Sequence, residues 1–266
     1  MAVRPRRDES HMSLASRPSP AEADQQCQGP QGARASDAAI CRARERAQPV
    51  LQRYSRCHGS TVGCVMRALV IAPGETLTTD DAVRLNAHCD FSIGCNLTCR
   101  TMRTDHLVVL DWQAAAEYRD DFEWAHAVGT QIWGMTDVSE MFQALGAKCV
   151  PTTGTMKEEG LNPKGFPVIH HGSSGHLAIG LAYALLTGPY KEIWIAGFTC
   201  TGKHNHGDHT GLCEQKARRA PLNMWRERHG WIARDAEKCG VTITDWTRGG
   251  AMACYPQGDW AWLLSL

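Results

Sequence analysis

The stretch GSSGHLAIGLAYALLTGPYKEIWIAGFTCTGKHNHGDHTG, Gly172 to Gly211, decides how this chain reads. It opens on small residues, Gly172-Ser173-Ser174-Gly175, and continues as an apolar run with Leu177, Leu181, Ala184 and Leu185 at helical spacing. That spacing predicts a helix with one apolar face, broken at Gly188-Pro189. Glu192-Ile193-Trp194-Ile195-Ala196-Gly197-Phe198 then reads as a short strand buried on both faces, being almost continuously apolar and bounded by glycine. A polar loop follows, Lys203-His204-Asn205-His206-Gly207-Asp208-His209. Ligands of open α/β sheets bind beyond the carboxyl ends of the strands. Three histidines and an aspartate there make a candidate site by place as well as by type.

Upstream, the rhythm of strand, turn and helix recurs. Ala68-Leu69-Val70-Ile71-Ala72 predicts a strand, and Pro73-Gly74-Glu75-Thr76-Leu77-Thr78 turns it into a helix. That helix opens on Thr79-Asp80-Asp81, where a cap and early acids suit the dipole. A glycine turn between strand and helix commonly sets backbone N–H groups against a phosphate. Asp90 to Asn96 is a second predicted strand, and His106 to Trp112 a third that carries Asp111 to its carboxyl end. Thr130 to Gly134 is a fourth strand, and Val138 to Leu145 a helix closed by Gly146. Cys149-Val150-Pro151 reads as another short strand, Thr152 to Gly165 as a mobile polar loop, and Phe166 to Ile169 as the lead into the central stretch. Downstream, Pro221 to Cys239 is helical, Val241 to Asp245 alternates as a strand, and Trp260 to Leu266 closes the chain. At least five such repeats predict one α/β domain, a Rossmann-like, doubly wound, mostly parallel sheet flanked by helices.

A chain of 266 residues with 43% hydrophobic content is long enough and apolar enough to bury a real core. The formal net charge of zero gives no whole-chain electrostatic case for nucleic acid or a membrane surface. No run approaches the roughly 18 apolar residues of a membrane span, so no membrane partner is expected. The twelve cysteines are scattered, which fits reduced thiols in a cytoplasmic protein better than a disulfide framework. Cys95 and Cys99 lack the second pair a zinc site needs.

Residues 1–65 differ in character. They hold ten arginines and no lysine against six acidic residues, and few β-branched or aromatic side chains. Such a segment buries too little apolar surface to offset its ordering entropy. Two expectations follow: translation begins at Met66, or residues 1–65 form a disordered leader. A basic tail for an acidic partner is the alternative. The organised domain is then residues 66–266.

The motifs together carry a family resemblance. Val70-Ile71-Ala72-Pro73-Gly74-Glu75-Thr76-Leu77 resembles the glycine-rich nucleotide loop of single-domain bacterial sialyltransferases and pterin-pyrophosphokinase-like proteins. Asn96 sits where those proteins place an asparagine after the second strand, and Ser173-Ser174-Gly175 is similar to their small-residue turn. His204-Asn205-His206-Gly207-Asp208-His209 looks like their histidine loop, most closely that of phage-type members, which share Trp225 and the segment from Gly249-Gly250-Ala251 to Tyr255-Pro256. The order and spacing run from Met66 to Asp259. The sequence departs from the pattern where Ala72 replaces the first glycine and Glu75-Thr76 a Pro-Ser pair, and it offers no match to the sialyltransferases' tyrosine pair.

The resemblance implies a nucleotide-dependent transferase, foremost a glycosyltransferase using a nucleotide sugar, in the cytoplasm (the host's, for a phage-encoded chain). It implies His209 as general base, assisted by Asp208 and His206, with Lys203 against the leaving phosphate. Pro73, Gly74, Thr76, Asn96, Ser173, Ser174 and Gly175 would hold the donor, and Asp111 the acceptor, a glycan or a modified nucleic acid. A Mg-ATP-dependent pyrophosphokinase and a non-catalytic nucleotide-binding or virion-associated module are the alternatives. A metal held by His204, His206 and His209 is an alternative use of the loop. Ser173 can also serve simply as a helix cap, and Asp111 likewise. The oligomeric state is left open.

Overall fold

The computed structural model describes residues 65–153, 160–169, 172–199, 222–250 and 252–265. Residues 1–65 of the expected leader fall outside these but for Val65, which opens β1 (Val65–Ile71) and pairs with Tyr190. Met66 lies inside that strand.

From β1 the chain passes through α1 (Thr79–Asn86) to β2 (Phe91–Cys95), then through a short 3-10 turn to β3 (His106–Val109). Helices α2 (Trp112–Glu117) and α3 (Arg119–Ala127) lead to β4 (Gln131–Gly134), and α4 (Thr136–Met141) leads to β5 (Lys148–Cys149). Two residues each form β6 (Thr152–Thr153) and β7 (Val168–Ile169). Helix α5 (Ser174–Leu185), β8 (Tyr190–Ala196), α6 (Leu222–Lys238), β9 (Val241–Asp245) and α7 (Trp260–Ser265) complete the order.

Seven strands form one parallel sheet in the order β5-β4-β3-β2-β1-β8-β9. The chain lays β2 to β5 successively to one side of β1, then returns and places β8 and β9 on the other. The reversal puts a topological switch point between β1 and β8, where such sheets open a crevice at their carboxyl edge.

Alternation along the strands separates the two faces. Leu69 and Ile71 join Trp194 and Ala196 under α1 and α7. On the same face, Leu107, Val109 and Ile132 pack with Phe122, Val138 and Phe142 of the α3–α4 region. Ala68, Val70, Ile193 and Ile195 point the other way, toward Leu177, Leu181 and Ile232 of α5 and α6. Leu69, Val70 and Ile71 are wholly buried, each such side chain contributing about 1.5–3 kcal/mol relative to exposure.

Three expectations change. Helix α5 does not bury a single apolar stripe: Leu177 and Leu181 are buried, but so are His176, Ile179, Gly180 and Tyr183 on its other sides, while Ala184 and Leu185 are only half-buried. The cause is its surroundings, since besides the sheet the helix packs against β7, where Val168 abuts Gly180. Thr152 to Gly165 is not simply a surface loop at its described ends. Thr152 and Thr153 pair with Val168 and Ile169, Gly160 N donates to Asp235 at 2.6 Å, and Leu161 is buried. The third strand stops at Val109, short of Asp111.

Candidate functional site

The carboxyl edge around the switch point is built by close backbone approach. After β1 the chain turns through Ala72-Pro73-Gly74, with Leu77 N donating to Gly74 O at 3.2 Å. A side chain on Gly74 would collide with the carbonyl of Gly197, and one on Gly197 with the carbonyl of Ala72. Gly197 also takes φ 76°, a left-handed conformation open to glycine. Both residues are therefore glycine for packing reasons, and their backbones meet at the switch point. Thr76 Oγ1 is buried there without a hydrogen-bond partner among the described residues.

Asn96 follows β2 and has φ 47°, the one described non-glycine residue in the left-handed region. Asparagine tolerates that region better than most side chains. The hydroxyl of Thr98 holds the turn by accepting from Cys95 N at 3.2 Å. Ser174 Oγ donates to Asn96 Oδ1 at 3.0 Å, so the amide's N–H₂ end is turned away from Ser174. Cys95 Sγ lies 3.7 Å from the carbonyl of Ser174, a second tie between β2 and the start of α5.

Ser173 caps α5, its Oγ accepting from His176 N at 3.2 Å. Gly175 packs its α-carbon against Phe198, where a methyl would come within 2.7 Å of the ring. The first turn of α5 carries no acidic residue, whereas that of α1 carries Asp80 and Asp81. Asp81 is engaged by Arg248 through two bonds of 2.7 Å, and those bonds hold its carboxyl below the usual carboxylate range against the opposing effect of burial. Of these two helix starts, that of α5 has no acidic residue in its own first turn to compete with a bound anion.

Behind the cap lies a buried polar cluster that sequence reading missed. His176 Nδ1 is 2.6 Å from Ser173 Oγ, and its Nε2 is 3.1 Å from the carbonyl of Trp225 on α6. The ring of His229 stands 4.3 Å from that of His176, and its Nδ1 is 3.0 Å from Tyr255 Oη. The one sequence signal was a serine three residues ahead of a histidine at a helix start. Nothing local announced a contact between positions 176 and 229.

Pro73, Gly74, Thr76, Asn96, Ser173, Ser174 and Gly175 are thus brought to one edge of the sheet. Asp111 stands two residues beyond the end of β3, half-buried in the N-cap position of α2, and its side chain makes no capping bond. Trp112 beside it is 48% exposed rather than part of the core. Lys203, His204, His206, Asp208 and His209 lie outside the described residues, as do His170 and His171. Phe198 and Thr199, which lead toward that loop, are buried, and Phe198 N donates to Thr247 Oγ1 at 3.1 Å.

Among the described residues no group of three or more His, Cys, Asp or Glu is arranged to hold a metal ion. Cys95 and Cys99 are buried thiols, pushed up by desolvation, Cys99 to about 12. Both are therefore protonated near neutrality. No helix among the described residues is long and apolar enough to cross a membrane. Compared with protein-family models, with curated proteins and with solved structures, the chain matches none.

Proposed function

We propose that the chain is a nucleotide-dependent transferase that moves a sugar from a nucleotide-activated donor. The observation that carries this reading is the bond between Asn96 and Ser174. It joins a strained asparagine at the end of β2 to the acid-free start of α5, beside the glycine pair of the switch point. A bound phosphate would take the N–H groups of Ser174 and Gly175, which have no partner within the helix. The amide of Asn96 would read ribose or base, and Thr76 Oγ1 would gain the partner it lacks. Glu75 carries a negative charge on the β1 side, which favours the α5 side for the phosphate.

The remaining roles follow the resemblance. His209 accepts the proton of the acceptor hydroxyl, an imidazole titrating near working pH being suited to that task. Asp208 and His206 orient it, Lys203 neutralises the leaving phosphate, and Asp111 meets the acceptor.

A thermal-shift panel on the full chain tests the reading, with cytidine, uridine, guanosine and adenosine nucleotides, each with and without Mg²⁺. A ligand at 100 times its Kd stabilises the native state by about 2.7 kcal/mol, a visible shift in Tm. Stabilisation by a cytidine or uridine nucleotide without metal supports glycosyl transfer. Stabilisation by ATP only with Mg²⁺ replaces it with pyrophosphoryl transfer. No shift with any nucleotide rejects the site as described.

A further inference from the structure

The hydrogen bonds around His176 fix where its proton sits. The carbonyl of Trp225 can only accept, so Nε2, at 3.1 Å from it, carries the hydrogen. In the neutral ring Nδ1 is then a bare lone pair, and the contact of 2.6 Å to Ser173 must be a bond donated by the serine hydroxyl. Ser173 Oγ also accepts from His176 N at 3.2 Å, leaving one lone pair uncommitted among the described residues. Ser173 is half-buried whereas His176 is 1% exposed. Ser173 thus borders solvent where the ring of its base does not.

A hydroxyl within reach of an imidazole, with that imidazole oriented by a third group, is the arrangement of an activated nucleophile. The third group here is a backbone carbonyl, held in place by α6 packing on α5. His229 backs the ring at 4.3 Å. Its own proton is also placed: Tyr255 Oη donates to the carbonyl of His229 at 3.2 Å, so Nδ1 of His229 donates to Oη. In the neutral form each imidazole thus has a defined tautomer, and that of His176 turns no N–H toward Ser173.

The geometry points to Ser173 as a nucleophilic hydroxyl, with His176 as its general base, for an electrophilic phosphorus centre bearing a good leaving group. In the step, Ser173 Oγ bonds to phosphorus as its proton passes to His176 Nδ1. The bond from phosphorus to the leaving atom breaks, and that atom departs with the electron pair. The resulting imidazolium keeps its Nε2–H on the carbonyl of Trp225. The N–H groups of Ser174 and Gly175, first in α5, face the oxygens on which charge develops. The inference goes beyond the nucleotide reading and does not depend on it.

A fluorophosphonate ester is the probe, applied to the full chain and read by intact mass and peptide mapping, with fluoride as leaving group. Wild type should gain one adduct, on Ser173, and Ser173→Ala should lose it. His176→Gln keeps an acceptor near Ser173 but removes the base, and should slow labelling by about 100-fold or more. A folded wild type unlabelled at Ser173 overturns the proposal, as does an equal rate in His176→Gln. Should His176→Gln fail to fold, the ¹⁵N shifts of His176 in the wild type decide instead. Protonated Nε2 with unprotonated Nδ1 supports the assignment, and the reverse tautomer overturns it. Because the probe contains no nucleotide, its failure leaves the thermal-shift result standing, and the converse holds.

Discussion

The α-carbon of Gly197 and the carbonyl oxygen of Ala72 meet across the β1–β8 seam with no room for a side chain between them. The same seam carries Ala72 N to Ala196 O at 2.9 Å, so neither backbone can retreat without breaking the sheet. Gly197→Ala should therefore destabilise the fold by about 2 kcal/mol or more, combining the collision with the penalty for a left-handed alanine. Chemical denaturation compared with wild type measures it. A change below about 0.5 kcal/mol would refute the packing account.

Asn96 separates stability from function. Asn96→Gly relieves the left-handed backbone while removing the bond to Ser174, so stability should stay within about 1 kcal/mol of wild type. Any Tm increase produced by a nucleotide should vanish. Asn96→Val, β-branched at the same φ, should cost about 2 kcal/mol. Equal nucleotide response in wild type and Asn96→Gly would remove Asn96 from the site.

Asp235 supplies a pH dependence. Burial raises its pKa, but hydrogen bonds from Arg234, the Gly160 N–H and Lys238 outweigh that and hold it down to about 2. A carboxyl depressed in the folded state stabilises above its unfolded pKa and loses that contribution as pH falls through the folded value. The contribution, about 1–2 kcal/mol, should be complete at neutral pH and fade between about pH 5 and pH 2. Denaturation midpoints of wild type and Asp235→Asn should accordingly converge on acidification. A gap independent of pH would show that the carboxylate's charge is not the cause.

The thiols should divide by burial. Cys95 and Cys99 are buried and raised by desolvation, whereas Cys149 is exposed. In the native protein at about pH 8, iodoacetamide should alkylate Cys149 and spare Cys95 and Cys99 until denaturant is added. Peptide mapping gives the answer directly, and native labelling of Cys95 would contradict its place between β2 and α5.

Much of the architecture was legible because buried parallel strands are written as apolar runs. Val241 to Asp245 has the bounds its alternation implies. The helix expected over Val138 to Leu145 instead runs Thr136–Met141, and Gly146, at φ 67°, closes a separate 3-10 turn, Gln143–Leu145. The helix stripe on α5 was misread because a helix enclosed on several sides has no polar face to mark its period. The paired β6 and β7 are two residues each, too short for any periodic signal. The candidate donor residues were found from motif order, yet what holds them was not. The contact between Ser173 and His176 is local, three residues apart at a helix start, whereas the ties of Asn96 to Ser174 and of His176 to Trp225 and His229 arise from tertiary approach.

The central position of β1 has a consequence during synthesis. Arg67 of β1 pairs with Glu192 of β8 across 125 positions of sequence. At about 5–20 residues per second, translation reaches β8 roughly 6–25 s after β1. Through that interval β1 can pair with β2 on one side only, leaving Leu69, Val70 and Ile71 on an open strand edge. Nascent chains in that state are open to pairing with one another, so crowding on a polysome is a condition under which this protein should aggregate.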